Sequence, residues 1–176
     1  MRRFSVAVVV LLLCALAVGC SSGTFRTSPA VHPMGQPVQV GPLIYTILEA
    51  EWSEQLGDPP SVRTPQQRFL EIRLSITNSG AGPSGVPALR LVDAQGRTYE
   101  ELSDGEGLRE WLGYLRSVKP AQTERGRVLF DVPVGAYRLR LANDADPENE
   151  KVALVDIPLQ LGSPLPMPAP QTTPPQ

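Results

Sequence analysis

Apolar and polar residues alternate along three stretches of this chain. Leu70, Ile72, Leu74 and Ile76 interleave with Glu71, Arg73, Ser75 and Thr77, the period of two that puts one face of a strand in a core and the other in water. Asn78-Ser79-Gly80 ends the stretch. Val128, Phe130 and Val132 repeat the pattern against Arg127, Leu129 and Asp131, and Tyr137, Leu139 and Leu141 repeat it against Arg138 and Arg140. Half-buried strands of this kind belong to antiparallel sheets. Residues 43–52 and 88–92 form further apolar, β-branched or aromatic runs, and Asp93-Ala94-Gln95-Gly96 is a turn sequence leading into Arg97-Thr98-Tyr99. Val155, Ile157, Leu159 and Leu161 close the series, and Pro158, which has no N–H to donate, predicts an edge strand. About seven short strands separated by turns predict a sandwich.

One stretch follows a different period. Leu108, Trp111, Leu112 and Leu115 fall at i, i+3, i+4 and i+7, and Ser103-Asp104-Gly105-Glu106 ahead of them has the form of a capping box. This spacing predicts a short helical insertion in an otherwise all-β, antiparallel sandwich.

The two ends of the chain follow neither period. Arg2 and Arg3 precede an apolar run over residues 6–18, followed by Gly19-Cys20-Ser21-Ser22, which is the layout of a signal peptide over residues 1–19. The run falls short of the roughly 20 apolar residues that cross a bilayer. Residues 20–36 are small, polar and proline-containing, and read as a flexible tether. Residues 162–176 carry Pro164, Pro166, Pro168, Pro170, Pro174 and Pro175, a density that permits neither helix nor ladder. The folded domain is expected over residues 37–161.

The segment Leu16-Ala17-Val18-Gly19-Cys20 resembles a bacterial lipobox, with Ala17 where Leu is more usual. The resemblance implies a diacylglyceryl group on the Cys20 thiol, cleavage before Cys20 and acylation of the freed amine. Two or more chains hold a protein firmly to a membrane, at about 0.8 kcal/mol for each buried methylene. The alternative is an ordinary secretory signal cut after an A-x-A-like site at Ala15 and Ala17. Ser21, in place of the Asp that retains lipoproteins at an inner membrane, favours the outer membrane where a cell has one.

Composition narrows the partners. The full chain has 16 Lys+Arg against 18 Asp+Glu; without Arg2 and Arg3 the balance is 14 to 18, a net charge of −4. An acidic domain of this kind is not expected to bind nucleic acid. Cys14 lies in the signal segment and Cys20 is the lipidation site, so packing rather than disulfides must hold the domain together.

The strands also carry a resemblance. Phe69 to Gly80 reads as a strand ending in Thr-Asn, and Leu91-Val92-Asp93 with Gly96 and Tyr99 as an L-x-D-x-x-G-x-x-Y hairpin. Pro120-Ala121 and Gly126-Arg127-Val128-Leu129-Phe130-Asp131-Val132-Pro133 follow as a P-G/A turn and a G-x-V-x-F-D-V-P strand. In these features the chain resembles an immunoglobulin-like domain family of unknown function found in bacterial lipoproteins and secreted proteins (DUF4352-like). The family usually has Gly where Ala121 stands. The resemblance implies an immunoglobulin-like sandwich and transfers no catalytic or binding residue.

Candidate chemistry is sparse. His32, the single histidine, falls in the tether segment, so no His-based triad or metal cluster is expected in the domain, and neither a cofactor nor an enzyme is expected. Asp144 and Asp146, with Glu148 and Glu150, concentrate carboxylates that could hold Ca²⁺, but without the glycine and ligand spacing of a calcium loop a solvated hairpin loop is the alternative. Glu100, Glu101, Asp104 and Glu106 read as a solvated edge with helix-capping duty. Arg73, Arg90, Arg125, Arg127, Arg138 and Arg140 are expected on outward faces, clustered on one sheet or interspersed as solvent-facing charge. Trp52 and Trp111 are the candidate contact residues, because aromatic anchors dominate binding surfaces when they lie outside a core, with burial as core fillers the alternative. The expected function is a membrane-anchored, non-catalytic sandwich that engages an envelope or extracellular protein or has a structural role there. The rival expectation is a small-ligand or Ca²⁺-binding module.

Overall fold

The alternation seen in the sequence closes into two facing sheets. The computed structural model describes residues 29–143 and 151–159. One sheet has the order β1 (Val31–His32), β11 (Val152–Ile157), β10 (Tyr137–Ala142), β6 (Arg90–Val92), β7 (Thr98–Glu100). The other runs β2 (Val38–Val40), β3 (Leu43–Ser53), β4 (Phe69–Asn78), β9 (Thr123–Asp131), and a two-stranded ribbon joins β5 (Ser84–Val86) to β8 (Arg116–Val118). Neighbours are antiparallel except β1, which runs parallel to β11. β3, β4 and β9 hold the places of strands A, B and E of an immunoglobulin domain, and β6, β7, β10 and β11 those of C, C′, F and G.

The inward residues form one core. Leu70, Ile72, Leu74 and Ile76 from β4 meet Val128 and Phe130 from β9 and Leu139 and Leu141 from β10, all buried. Each such side chain contributes roughly 1.5–3 kcal/mol by leaving water. Tyr137, at the start of β10, donates its hydroxyl to the Pro133 carbonyl four residues upstream, the tyrosine corner of Greek-key sandwiches. A second, smaller core lies outside the four-stranded sheet, where Phe69 and Leu129 are covered by Leu56 and Leu108.

The residues behind the family resemblance build turns. Asn78 is fully buried; its Nδ2 donates to the carbonyls of Gly82 and Val118, both at 2.8 Å, and its Oδ1 accepts from Gly80 N–H. Asp93 accepts from the N–H groups of Gln95 and Arg97, the Arg97 guanidinium and the Tyr99 hydroxyl. Local desolvation works against its charge, but those four donors together hold its carboxyl below the usual carboxylate range. Ala121, where the family usually has Gly, has φ of 57°, the left-handed region in which a Cβ is strained.

Three expectations are corrected. The helical insertion over residues 108–115 is absent: Gly107, Glu110 and Gly113 have φ of 80°, 57° and 77°, and no helix continues through left-handed residues. Leu108 is buried in the outer core while Leu115 is 95% exposed, so the four apolar residues do not share a face. The capping box is instead a turn in which Asp104 Oδ1 accepts from Glu106 N–H at 2.9 Å. The tether ends before residue 36, because Val31 and His32 pair with Leu154 and Val155 and Met34 packs against the main core. A two-residue strand held only by a distant partner leaves no periodic trace. Finally, β11 is an inner strand between β1 and β10 that stops at Ile157, one residue before Pro158.

Candidate functional site

Strand β3 changes phase in the middle. Leu43, Tyr45 and Ile47 face the core, and then the register with β4 shifts between Ile47 and Glu49. Leu48 is the extra residue of a β-bulge, which leaves one residue unpaired and bends the strand. Beyond it the parity inverts: Glu49, Glu51 and Ser53 take the outer face beside Arg73, Glu71 and Phe69, and Ala50 and Trp52 turn inward beside Ile72 and Leu70. Without the bulge Trp52 would point to solvent.

The flank of β3 away from β4 is only half covered. β2 pairs with residues 43–45, and Gly35 N–H donates to the Ile47 carbonyl at 2.8 Å. From residue 48 to residue 53 no strand among the described residues pairs with this flank. It opens on a groove of about 1180 Å³ whose far wall is Val31, His32, Pro33 and Met34. Leu48 is 43% exposed and Val31 44%. Trp52 is half-buried, its ring 6.3 Å from that of Tyr137, which meets Tyr99 edge-on at 5.6 Å. Burial pushes the Tyr137 hydroxyl up to about 12, with Tyr99 and Asp93 adding to the shift.

Charges line the outer rim. Arg127 Nη1 lies 3.0 Å from Glu51 and 3.1 Å from Glu71, and Arg73 lies 3.6 Å from Glu49. The hydrogen bond that Arg127 donates to Glu51 pushes its guanidinium up against a smaller opposing effect of burial. Ser53 Oγ donates to Glu71 at 2.5 Å. His32 stands in the groove wall rather than in a tether, its Nδ1 3.3 Å from Gln36 Oε1. The groove thus offers backbone groups that no strand among the described residues pairs, apolar surface and carboxylates.

The sequence candidates are dispersed. Cys20, Asp144 and Asp146 lie outside the described residues. Trp52 and Trp111 sit at opposite edges of the four-stranded sheet: Trp52 on β3, and Trp111, 38% exposed, bridged in parallel to Arg127 of β9. The acidic group divides. Glu101 is buried, both of its carboxylate oxygens accepting from Arg116 Nη2 at 2.7 and 2.8 Å, while Glu100 pairs with Arg90 and Asp104 with Arg63 on the surface. Burial pushes the Glu101 carboxyl up, and Arg116 pulls against that. The arginines divide as well, with Arg73 and Arg127 facing each other on one sheet and Arg90 and Arg140 on the other. Among the described residues no group of three or more His, Cys, Asp or Glu could hold a metal ion. The sequence pattern does not predict the groove, because its walls come from residues 31–35 and 48–53 with Arg68, Asp156 and Pro158, and the bulge that shapes it has no periodic signal.

Residues 32–153 match the family described as Domain of unknown function (DUF4352). Among solved structures, the chain is similar to the yjhA protein from Bacillus subtilis, at 14% identity over 72% of this chain and 98% of that one, with a TM-score of 0.56. It is also similar to MPT63, a secreted protein from Mycobacterium tuberculosis, at 13% identity, 73% and 98% coverage and a TM-score of 0.52. ycdA, a candidate lipoprotein of Bacillus subtilis, gives 16% identity over 76% of this chain and 39% of that one, with a TM-score of 0.53. These likenesses are of fold. No curated protein is significantly similar to the chain in sequence.

Proposed function

Because the chain belongs to the DUF4352 family, a family whose function is unknown, we propose that it is an exported lipoprotein whose sandwich is a non-catalytic docking module for an envelope or extracellular protein. Cys20 carries the lipid and holds the module at a membrane, the outer one where two exist. The observation that carries the docking role is the half-open flank of β3 beside Trp52 and Leu48, since a sheet edge with unpaired N–H and C=O groups is a template for another chain. Support for export comes from the N-terminal pattern ending in Gly19-Cys20 and from fold likeness to a secreted protein and a candidate lipoprotein.

The anchoring half is tested by Cys20→Ala with fractionation of salt-washed membranes. The variant is expected in the soluble fraction with an unchanged melting temperature. Retention of that variant on the membranes would contradict the lipid anchor. The docking half is tested by site-specific photocrosslinking on cells from position 48 or 52, against position 115 as an exposed control; one discrete adduct is expected from the groove positions, and adducts from neither position would contradict it.

A further inference from the structure

We propose that the open flank of β3 takes an extended peptide segment as an added strand, and that the segment it fits alternates basic and apolar residues. This deepens the docking role and rests on it. The backbone demands a strand: β2 already completes this flank as far as residue 45, and an occupant over residues 48–53 would continue that ladder for about 20 Å at strand rise. Main-chain hydrogen bonds would supply affinity and alternate side chains specificity.

The side-chain preference follows from cross-strand pairing, in which directly opposite residues share a face. The closed flank shows what these positions accept. On β4, Arg73 stands opposite Glu49, Ile72 opposite Ala50 and Leu70 opposite Trp52. Glu71 opposite Glu51 is a like-charged pair, and Arg127 reaches both carboxylates from β9. A strand on the open flank meets the same row from the other side: carboxylates at Glu49 and Glu51, whose side chains are 47% and 58% exposed, alternating with Ala50 and Trp52. Lys or Arg opposite the glutamates and aliphatic residues opposite Ala50 and Trp52 complement it.

Two other occupants fit less well. A second copy pairing antiparallel about Ala50 would set Glu49 and Glu51 against Glu51 and Glu49, and like charges directly opposite are destabilising. The chain's own residues 160–176 contain no Lys or Arg and carry Pro164, Pro166, Pro168 and Pro170, so they lack both the cations and the alternate N–H groups of a ladder.

The test is a fluorescence titration of the full-length chain in detergent micelles, in a Trp111→Phe background that leaves Trp52 as the reporter. The probe is an eight-residue peptide alternating Lys and Val. It is expected to bind at least tenfold more tightly than the same composition with its lysines grouped in one block. N-methylation at alternate residues should cost at least tenfold, because it removes the ladder donors. The Glu49→Lys/Glu51→Lys variant should lose the Lys-Val peptide tenfold and gain one alternating Glu and Val. Equal binding of the alternating and blocked peptides would reduce the effect to charge attraction and overturn the proposal, as would absence of binding or a shift in sedimentation showing a β3-paired dimer. A discrete partner adduct from position 48 or 52, together with no preference for the alternating peptide, would overturn strand addition alone and leave the docking role standing, whereas adducts from neither position would overturn both. Membrane retention of Cys20→Ala would instead strike the anchor and leave this titration untouched.

Discussion

Along β9, the outer flank of the four-stranded sheet is occupied. Arg127 N–H donates to the Glu110 carbonyl at 2.8 Å, Leu112 N–H donates to the Arg127 carbonyl at 3.0 Å, and Leu102 N–H donates to the Leu129 carbonyl at 2.7 Å. Along β3, at the other end of the same sheet, pairing among the described residues on the flank away from β4 stops at residue 47. The chain spends an irregular segment, with Glu110 held at positive φ, on closing one edge and leaves half of the other open. A sheet edge left unguarded invites aggregation; here the open half carries a bulge and two glutamates, which exclude most strands without excluding a basic one.

If the closed edge is structural, disrupting it should cost stability. The largest loss is expected from Glu101→Gln. Arg116, whose Nη2 donates to both Glu101 oxygens, also donates to the Gly113 carbonyl of the segment that covers β9, and its Nε has no partner among the described residues. Removing the carboxylate leaves a buried, uncompensated cation, at a cost of about 3–5 kcal/mol, measurable by urea unfolding. Gly126→Ala comes next. A Cβ there would lie 2.4 Å from the Glu110 carbonyl oxygen and 2.8 Å from Leu112 Cγ, so the segment must shift. The expected loss is about 1–3 kcal/mol, with faster amide exchange at Arg127 and Leu112 as the local sign.

The open side should be milder. Tyr137→Phe removes the hydroxyl bond to Pro133 and should cost about 1 kcal/mol. The same residue gives a pH signature. A phenol raised from 10.0 to about 12 stays protonated in the folded state while the unfolded chain ionises, so its contribution is complete below pH 10 and is lost as pH rises toward 12. Tyr137→Phe should flatten that alkaline decline, read as melting temperature against pH. Smallest of all is Glu49→Gln/Glu51→Gln, with exposed ion pairs worth less than about 1 kcal/mol. A loss above 2 kcal/mol on denaturant unfolding would make these glutamates structural and remove the contrast between the edges.

The pattern of the sequence marks the core strands but the state of neither edge of the sheet. β4, β9 and β10 are legible because their inward residues recur with a period of two, although Phe69 and Leu129 are buried on the outer face as well, and the resemblance locates the turns at Asn78 and Asp93 that close them. Residues 108–115 misled because helical spacing of Leu108, Trp111 and Leu112 says nothing about the backbone signs at Gly107, Glu110 and Gly113. β1 and the bulge were invisible for a related reason: Val31 pairs with Leu154, 123 positions away in the numbering, and one inserted residue at Leu48 turns Trp52 from one face to the other with no change in composition. The family signature marked the residues that build the fold, Asn78, Asp93 and Gly126, while the groove draws its walls from segments outside that signature.

The difference between the two edges can be read amide by amide. Hydrogen exchange followed by NMR on the full-length chain in micelles, with and without the alternating Lys-Val peptide, reports each flank separately. The amides of residues 48–53 that do not bond to β4 should exchange far faster than those of Arg127 and Leu112 in the free protein, and should slow at least tenfold on peptide addition while the β9 flank stays unchanged. Protection of residues 48–53 already in the free protein, or no slowing there when the peptide binds, would contradict the account.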